Sequence, residues 1–195
     1  MKYPGGITKE RKENVKTGHI NYTGRGMDLE NDLNLTNEYY RRIDKAYIYK
    51  KPTPIKLVKV DYKHNRINEG YFEMPSTTDY NGLYKGKYID FEAKETTSLT
   101  SFPLGNIHEH QLKHLENIYR HKGIAFLIIR FTKLEETYIL LEQDLLDFIK
   151  NNDRKSIPIS YMREKGLRVN LKYTPRLDYL EVLDKNGGIL WVLKE

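Results

Sequence analysis

Cysteine is absent from this 195-residue chain, which excludes disulfides and thiolate metal sites and fits a reducing compartment. Long apolar runs are missing too. The longest, Ile124 to Ile129, falls far short of the roughly 20 residues that a spanning helix needs. No apolar stretch follows Met1-Lys2-Tyr3-Pro4-Gly5-Gly6 as a signal peptide would require. A cytoplasmic protein with no membrane partner is the expectation. The pairs Gly5-Gly6 and Gly187-Gly188 have no phosphate-loop context, which argues against nucleotide binding. Internal repeats and low-complexity tracts are lacking. The apolar fraction, 38%, suffices for one core and not for two, so a single domain is expected.

What the chain has in excess is positive charge, unevenly placed. The net charge is +6. Residues 1–25 carry Lys2, Lys9, Arg11, Lys12, Lys16 and Arg25 against Glu10 and Glu13. Residues 50–66 carry Lys50, Lys51, Lys56, Lys59, Lys63 and Arg66 against Asp61 alone. Together these stretches exceed the whole net charge, so the remainder is acidic. Such asymmetry suits a polyanion-binding surface, although solvated lysines on a basic protein give the same composition.

Residues 1–24 are polar and aperiodic and read as a flexible basic arm preceding a domain over 25–195. Met27 to Ile43 has helical spacing of Leu29, Leu33, Tyr40 and Ile43. Ala46 to Lys50 reads as a strand that Pro52 and Pro54 interrupt. Ile55 to Val60 and Ile67 to Phe72 read as a strand pair around a polar turn, a stalk at about 50–72. Naive alternation puts Ile55, Leu57 and Lys59 on one face and Lys56, Val58 and Val60 on the other, so lysines are expected on both. Lys87 to Lys94 is a strand, Ile107 to His121 a helix, Gly123 to Phe131 a buried strand, Thr137 to Leu141 another, and Leu145 to Ile149 part of a short helix. The order predicts an α/β domain with a mixed central sheet flanked by helices.

The strand at 87–94 carries the chemistry. A period of two puts Tyr88, Asp90, Glu92 and Lys94 on one face and Ile89, Phe91 and Ala93 on the other. Asp79 precedes Tyr80-Asn81-Gly82 and Lys85-Gly86-Lys87, a hairpin pattern that brings it beside Glu92. Phosphodiester hydrolysis needs this set. Two carboxylates hold a hard divalent ion, the ion activates water, and an ammonium stabilises charge on the phosphate. A Glu-x-Lys tripeptide by itself equally describes a solvated strand face. Gln111, early in the next helix, is placed for its amide oxygen to reach metal-bound water, or is an exposed helical Gln.

Six stretches in order resemble the RecU Holliday-junction resolvases of the PD-(D/E)xK nuclease superfamily, over about residues 22–183. They are Arg25-Gly26-Met27-Asp28-Leu29-Glu30, Lys50-Lys51-Pro52-Thr53-Pro54, Thr77-Thr78-Asp79-Tyr80-Asn81-Gly82, Tyr88-Ile89-Asp90-Phe91-Glu92-Ala93-Lys94-Glu95-Thr96, Thr100-Ser101-Phe102-Pro103-Leu104 and Pro175-Arg176-Leu177-Asp178-Tyr179. The resemblance implies a restriction-endonuclease-like core with a projecting β-stalk. It implies a homodimeric, Mg²⁺-dependent enzyme, with Mn²⁺ as the alternative ion, that cuts four-way DNA junctions in recombination and repair and works beside the strand-exchange recombinase. By motif match, Thr77, Asp79, Glu92 and Gln111 form the metal site and Lys94 stabilises the transition state. Arg25 and Lys50 match basic positions for junction handling, to which the stalk adds Lys56, Lys59 and Arg66. The stalk turn is shorter here than is usual in the family, and the arm and the last dozen residues match poorly.

Other signals were weighed against this reading. His108, Glu109, His110 and His114 are not spaced as H-E-x-x-H, which argues against zinc. Glu30 is either an extra active-site carboxylate or a helix-surface charge. The competing functions are a sequence-specific restriction-type nuclease and a non-catalytic DNA-binding recombination mediator.

Overall fold

The computed structural model describes residues 28–72 and 77–186. The basic arm and Arg25 lie outside the described residues. In chain order the elements are α1 (Leu29–Arg42), β1 (Tyr47–Lys50), β2 (Ile55–Asp61), β3 (Arg66–Phe72), β4 (Tyr80–Tyr84), β5 (Lys87–Thr96), β6 (Ser101–Pro103), a 3₁₀ turn at Leu104–Asn106, α2 (Glu109–Arg120), β7 (Ile124–Phe131), β8 (Glu136–Leu141), α3 (Glu142–Asn151), β9 (Ser156–Pro158), α4 (Ile159–Lys165), β10 (Leu167–Arg168) and α5 (Tyr179–Lys185). The sheet order is β1-β4-β5-β7-β8-β10. Only β5 and β7 pair in parallel within it, and the other pairs are antiparallel. The expected mixed α/β architecture is present.

The central strand explains the layering. β7 reads Ile-Ala-Phe-Leu-Ile-Ile-Arg-Phe and is buried at every position, as a parallel strand covered on both faces must be. Ile124, Phe126 and Ile128 join Leu29, Leu33 and Tyr40 of α1, Tyr179, Leu180 and Leu183 of α5, and Ile89 and Phe91 of β5 in one core. Ala125, Leu127, Ile129 and Phe131 join Leu115 of α2, Leu145 and Phe148 of α3 and Met162 of α4 in the other. β5 therefore turns Ile89 and Phe91 toward α1 and α5. Asp90, Glu92 and Lys94 turn toward α2.

α1 begins where Asp28 accepts from the Asn31 N–H at 2.8 Å, an N-cap. The segment Pro175–Tyr179 holds it on the sheet. Arg176 pairs with buried Asp32 at 3.1 Å, the Leu177 N–H donates to Thr36 at 2.9 Å, and Asp178 accepts from the Tyr40 hydroxyl at 2.7 Å. Arg130 of β7 reaches the same Asp32 at 2.7 Å. A motif almost 150 residues downstream in the sequence thus fixes the helix whose first turn faces β5.

Among the described residues, β2 and β3 pair only with each other. Every residue of β3, and Ile55 to Lys59 of β2, is exposed. Their alternation departs from the simple expectation. The register runs Leu57↔Gly70, Lys59↔Glu69, Val60↔Ile67, with irregularities beside Val58 and Asn68. These bulges re-phase the side chains. Paired residues share a face, so Ile55, Leu57, Val60, Ile67 and Phe72 gather on one side. Lys56, Lys59, Arg66, Glu69 and Tyr71 gather on the other. The Ile55 methyl confirms the phase, since a Cβ on Gly70 would meet it at 3.0 Å and the Ile67 methyl at 3.7 Å. Lysines are therefore not on both faces, because Val58 is an extra residue that simple alternation cannot anticipate.

Candidate active site

β4 and β5 form a tight hairpin whose turn uses Lys85 at φ 48° and Gly86 at φ 74°. Its register places Tyr80 opposite Phe91, so Asp79, one residue earlier, stands opposite Glu92. The Asp79 carboxylate accepts the Ala93 N–H at 3.1 Å. On the far side, the Lys51 N–H donates to the Asp79 carbonyl at 2.7 Å. The aspartate is thus braced between the end of β1 and the middle of β5.

Glu92 is 1% exposed. Its Oε1 takes Lys94 Nζ at 2.7 Å and Gln111 Nε2 at 2.7 Å. Its Oε2 is buried with no hydrogen-bond partner among the described residues. A buried carboxylate oxygen left open is costly unless something else satisfies it. Burial pushes the Glu92 carboxyl up to about 7, and the negative charge of Asp79 adds to the rise, while Lys94 and Gln111 oppose it. A cation between the two carboxylates would relieve both causes at once.

Gln111 is buried, not exposed. Its amide oxygen accepts the His108 N–H at 3.1 Å, a capping-box contact at the start of α2. Its nitrogen, rather than the oxygen expected to reach metal-bound water, faces Glu92. Thr77 is exposed, and its hydroxyl lies 3.1 Å from Lys51 Nζ. Among the described residues, no three His, Asp or Glu side chains converge as a metal cage. The site offers a carboxylate pair with one buried oxygen, Glu92 Oε2, left open, which suits an ion that keeps several waters. His108 and His110 stack with centroids 5.4 Å apart, and His114 turns to Asp90 at 3.2 Å.

A cleft of about 260 Å³ opens beside Asp79 and Lys94, lined also by Glu30, Tyr80, Ala93 and Glu95. Glu30 reaches it from α1 and pairs with Lys50 at 2.5 Å. Glu95 Oε1 accepts the Leu29 N–H at 2.9 Å, tying the start of α1 to β5. Lys50 thus sits at the rim, whereas Lys56, Lys59 and Arg66 lie on the separate β2–β3 hairpin. Sequence reading left Asp90, Lys51 and Glu95 without roles. The Tyr-x-Asp-x-Glu-x-Lys alternation was the one available signal for Asp90.

A family model described as Recombination protein U matches residues 24–185. A protein of Geobacillus sp. (strain WCH70) named Holliday junction resolvase RecU is 51% identical over 194 residues, covering 95% of this chain and 96% of that one. One of the same name from Staphylococcus aureus (strain JH9) is 48% identical over 198 residues, covering 95% of each. Among solved structures, the Holliday junction resolvase Hjc of Archaeoglobus fulgidus aligns over 67% of this chain and 93% of its own, at 13% identity and a TM-score of 0.39, a likeness too weak to bear on function. Matched from one end of the described structure almost to the other, this chain belongs to the RecU family.

Proposed function

We propose that the chain is a divalent-metal-dependent endonuclease that cuts four-way DNA junctions, with Mg²⁺ as the natural ion and Mn²⁺ as a substitute. The observation that carries this reading is the open, buried Oε2 of Glu92, standing across the β4–β5 ladder from Asp79 with an ammonium 2.7 Å from its sister oxygen.

Asp79 and Glu92 would hold the ion, with Thr77 and Gln111 around them. A divalent ion held there would lower the pKa of bound water and polarise a phosphoryl oxygen. Lys94 neutralises Glu92 in the metal-free chain. With the carboxylate holding a metal, the same ammonium would face the scissile phosphate, where charge develops. In-line attack would leave 5′-phosphate and 3′-hydroxyl ends. Glu30, held by Lys50, sits at the rim of the cleft and stays outside the carboxylate pair in this reading.

DNA would be held by phosphate contacts. Lys56, Lys59 and Arg66 share one side of the stalk, and Lys50 flanks the cleft. Arg25 is assigned by motif alone. A homodimer in which each subunit cuts one of two opposed strands matches the two-fold character of a junction. The apolar side of the stalk, with Leu57 51% and Phe72 74% exposed, gives a second subunit a surface to cover. The strand-exchange recombinase remains a partner to test. Among the described residues, no helix is long and apolar enough to cross a membrane.

The test is a labelled four-way junction incubated with and without Mg²⁺, beside a linear duplex of the same sequence. The parent chain is expected to cut the junction only with metal and to spare the duplex. Asp79→Ala and Glu92→Ala are expected to bind the junction and leave it whole. Site-specific cutting of the duplex would instead indicate a restriction-type enzyme, and binding with no cutting a mediator.

A further inference from the structure

Asp90 lies two residues before Glu92 on the same face of β5 and is completely buried. Four side chains converge on its carboxylate. Lys51 Nζ is 2.7 Å from Oδ2, the Tyr88 hydroxyl 3.0 Å and His114 Nε2 3.2 Å. The Thr78 hydroxyl donates to Oδ1. Lys51 Nζ also reaches the Thr78 hydroxyl at 2.5 Å and that of Thr77 at 3.1 Å.

The origins of these groups matter more than their number. Lys51 is the last residue before Pro52-Thr53-Pro54 and the stalk strand β2. Thr77 and Thr78 are the first described residues after the stalk strand β3. His114 comes from α2, one turn past Gln111, whose amide faces Glu92. The residue that leads into the stalk, the first described residues beyond it, the strand bearing Glu92 and Lys94, and the helix behind them therefore meet on one carboxylate.

We propose that Asp90 and Lys51 are positioning residues, a joint that holds the stalk at a fixed angle to Asp79 and Glu92 and thereby sets which phosphodiester of a junction is cut. The inference rests on the junction-cutting reading above. Stability is a weak reason for such a pair, since a buried ion pair is commonly no better than an apolar replacement. Leverage is a better one. A seven-residue strand spans about 23 Å, so a tilt of about 5° at the root moves the tip by about 2 Å. A displacement of only about 1 Å at the reacting atoms costs on the order of 10²-fold in rate.

The chain has no cysteine, so two can be introduced and spin-labelled cleanly. Tyr62, at the stalk tip and 84% exposed, and Asn117, exposed on α2, are suitable sites. Labelled chain is diluted into unlabelled chain to suppress distances between subunits. The full-length parent is compared with Lys51→Met, Lys51→Arg and Asp90→Asn by electron–electron distance distribution. Junction affinity is measured in Ca²⁺, Mn²⁺ affinity without DNA, and cut positions in single turnover on a denaturing gel. Lys51→Met and Asp90→Asn are expected to broaden the tip-to-core distribution. They should keep junction and Mn²⁺ affinity within about threefold, lower the single-turnover rate at least tenfold and spread the cuts over neighbouring phosphodiesters. Lys51→Arg is expected to restore one cut position. A parental distance distribution in Lys51→Met overturns the joint, even if the parent chain cuts no junction. So does cutting at the parental position and rate. If Lys51→Met fails to fold, Thr78→Val removes one contact to the same carboxylate and leaves the ion pair. It should broaden the distribution partway, and an unchanged one refutes the proposal.

Discussion

The hairpin of β2 and β3 and the hairpin of β4 and β5 are both antiparallel and adjacent in the chain, yet they place charge in opposite ways. In the first, two bulges put the basic residues Lys56, Lys59 and Arg66 on an exposed side. In the second, a regular register carries Asp90 and Glu92 inward, where they are 0% and 1% exposed. Exposed cations are weakly coupled to their neighbours and act on a polyanion by sum. Buried carboxylates are strongly coupled to one or two neighbours and act by geometry. The two hairpins should therefore fail differently when altered.

The largest separation is expected at Lys94. Lys94→Gln removes one placed charge beside Glu92 and should lower the cleavage rate about 10²–10³-fold, with junction affinity close to parental. Single-turnover cleavage and a binding titration in Ca²⁺ report the two separately. Loss of affinity in step with rate would erase the distinction between the hairpins.

The converse change is on the stalk. Replacing Lys56, Lys59 and Arg66 together by Gln removes up to three phosphate contacts and should lower the salt slope of binding by about 2.7. The parent should then lose about 40-fold more affinity than the variant between about 50 and 200 mM salt. The rate at saturating enzyme should be unchanged. An unaltered slope would place the DNA elsewhere.

Most of the β4–β5 site was legible in the sequence because its alternation is uninterrupted. Glu92 and Lys94 share a face by a period of two, and Lys85-Gly86 supplies the turn that brings Asp79 across. The stalk was legible as a hairpin and illegible as a two-faced one, because nothing in Leu57-Val58-Lys59 marks Val58 as an added residue. Gln111 stands beside Glu92, but its orientation depends on the His108 N–H, a backbone group invisible to pattern. Asp90 was read onto the right face without a partner, since Lys51, Thr78 and His114 reach it from three separate segments. Contacts of that kind follow from topology, not from local spacing. Arg25 and the basic arm lie outside the described residues.

A pH series sharpens the coupling inside the buried hairpin. Glu92, raised to about 7 by burial and Asp79, is protonated in the acidic range, and the proton competes with metal for the same oxygens. At limiting Mg²⁺, cleavage should fall as pH drops through about 7. Raising free metal tenfold should move that midpoint down by up to about one unit. A midpoint indifferent to metal would show that the titrating group is not a ligand.

The smallest expected effect tests whether burial alone makes a site. Glu142, at the start of α3, is 1% exposed, and neither carboxylate oxygen has a hydrogen-bond partner among the described residues. Burial, with Glu116 adding to it, raises its carboxyl to about 7, as far as Glu92. Among the described residues, no ion pair holds it as Lys94 holds Glu92. Its folded value lies above the ordinary carboxylate value of about 4.5, so ionisation opposes folding. The cost is absent below about pH 4.5, grows as pH rises toward 7, and is complete above it. Glu142→Gln should therefore stabilise the chain by about 1–2 kcal/mol at pH 8, a rise in Tm of about 2–4 °C per kcal/mol for a chain of this length. It should change nothing near pH 4 and leave junction cleavage at the parental rate. Glu92→Gln should share the stabilisation at pH 8 in metal-free buffer and abolish cleavage. A loss of activity in Glu142→Gln, measured on the same four-way junction, would mean that the open carboxylate on α3 belongs to the chemistry after all.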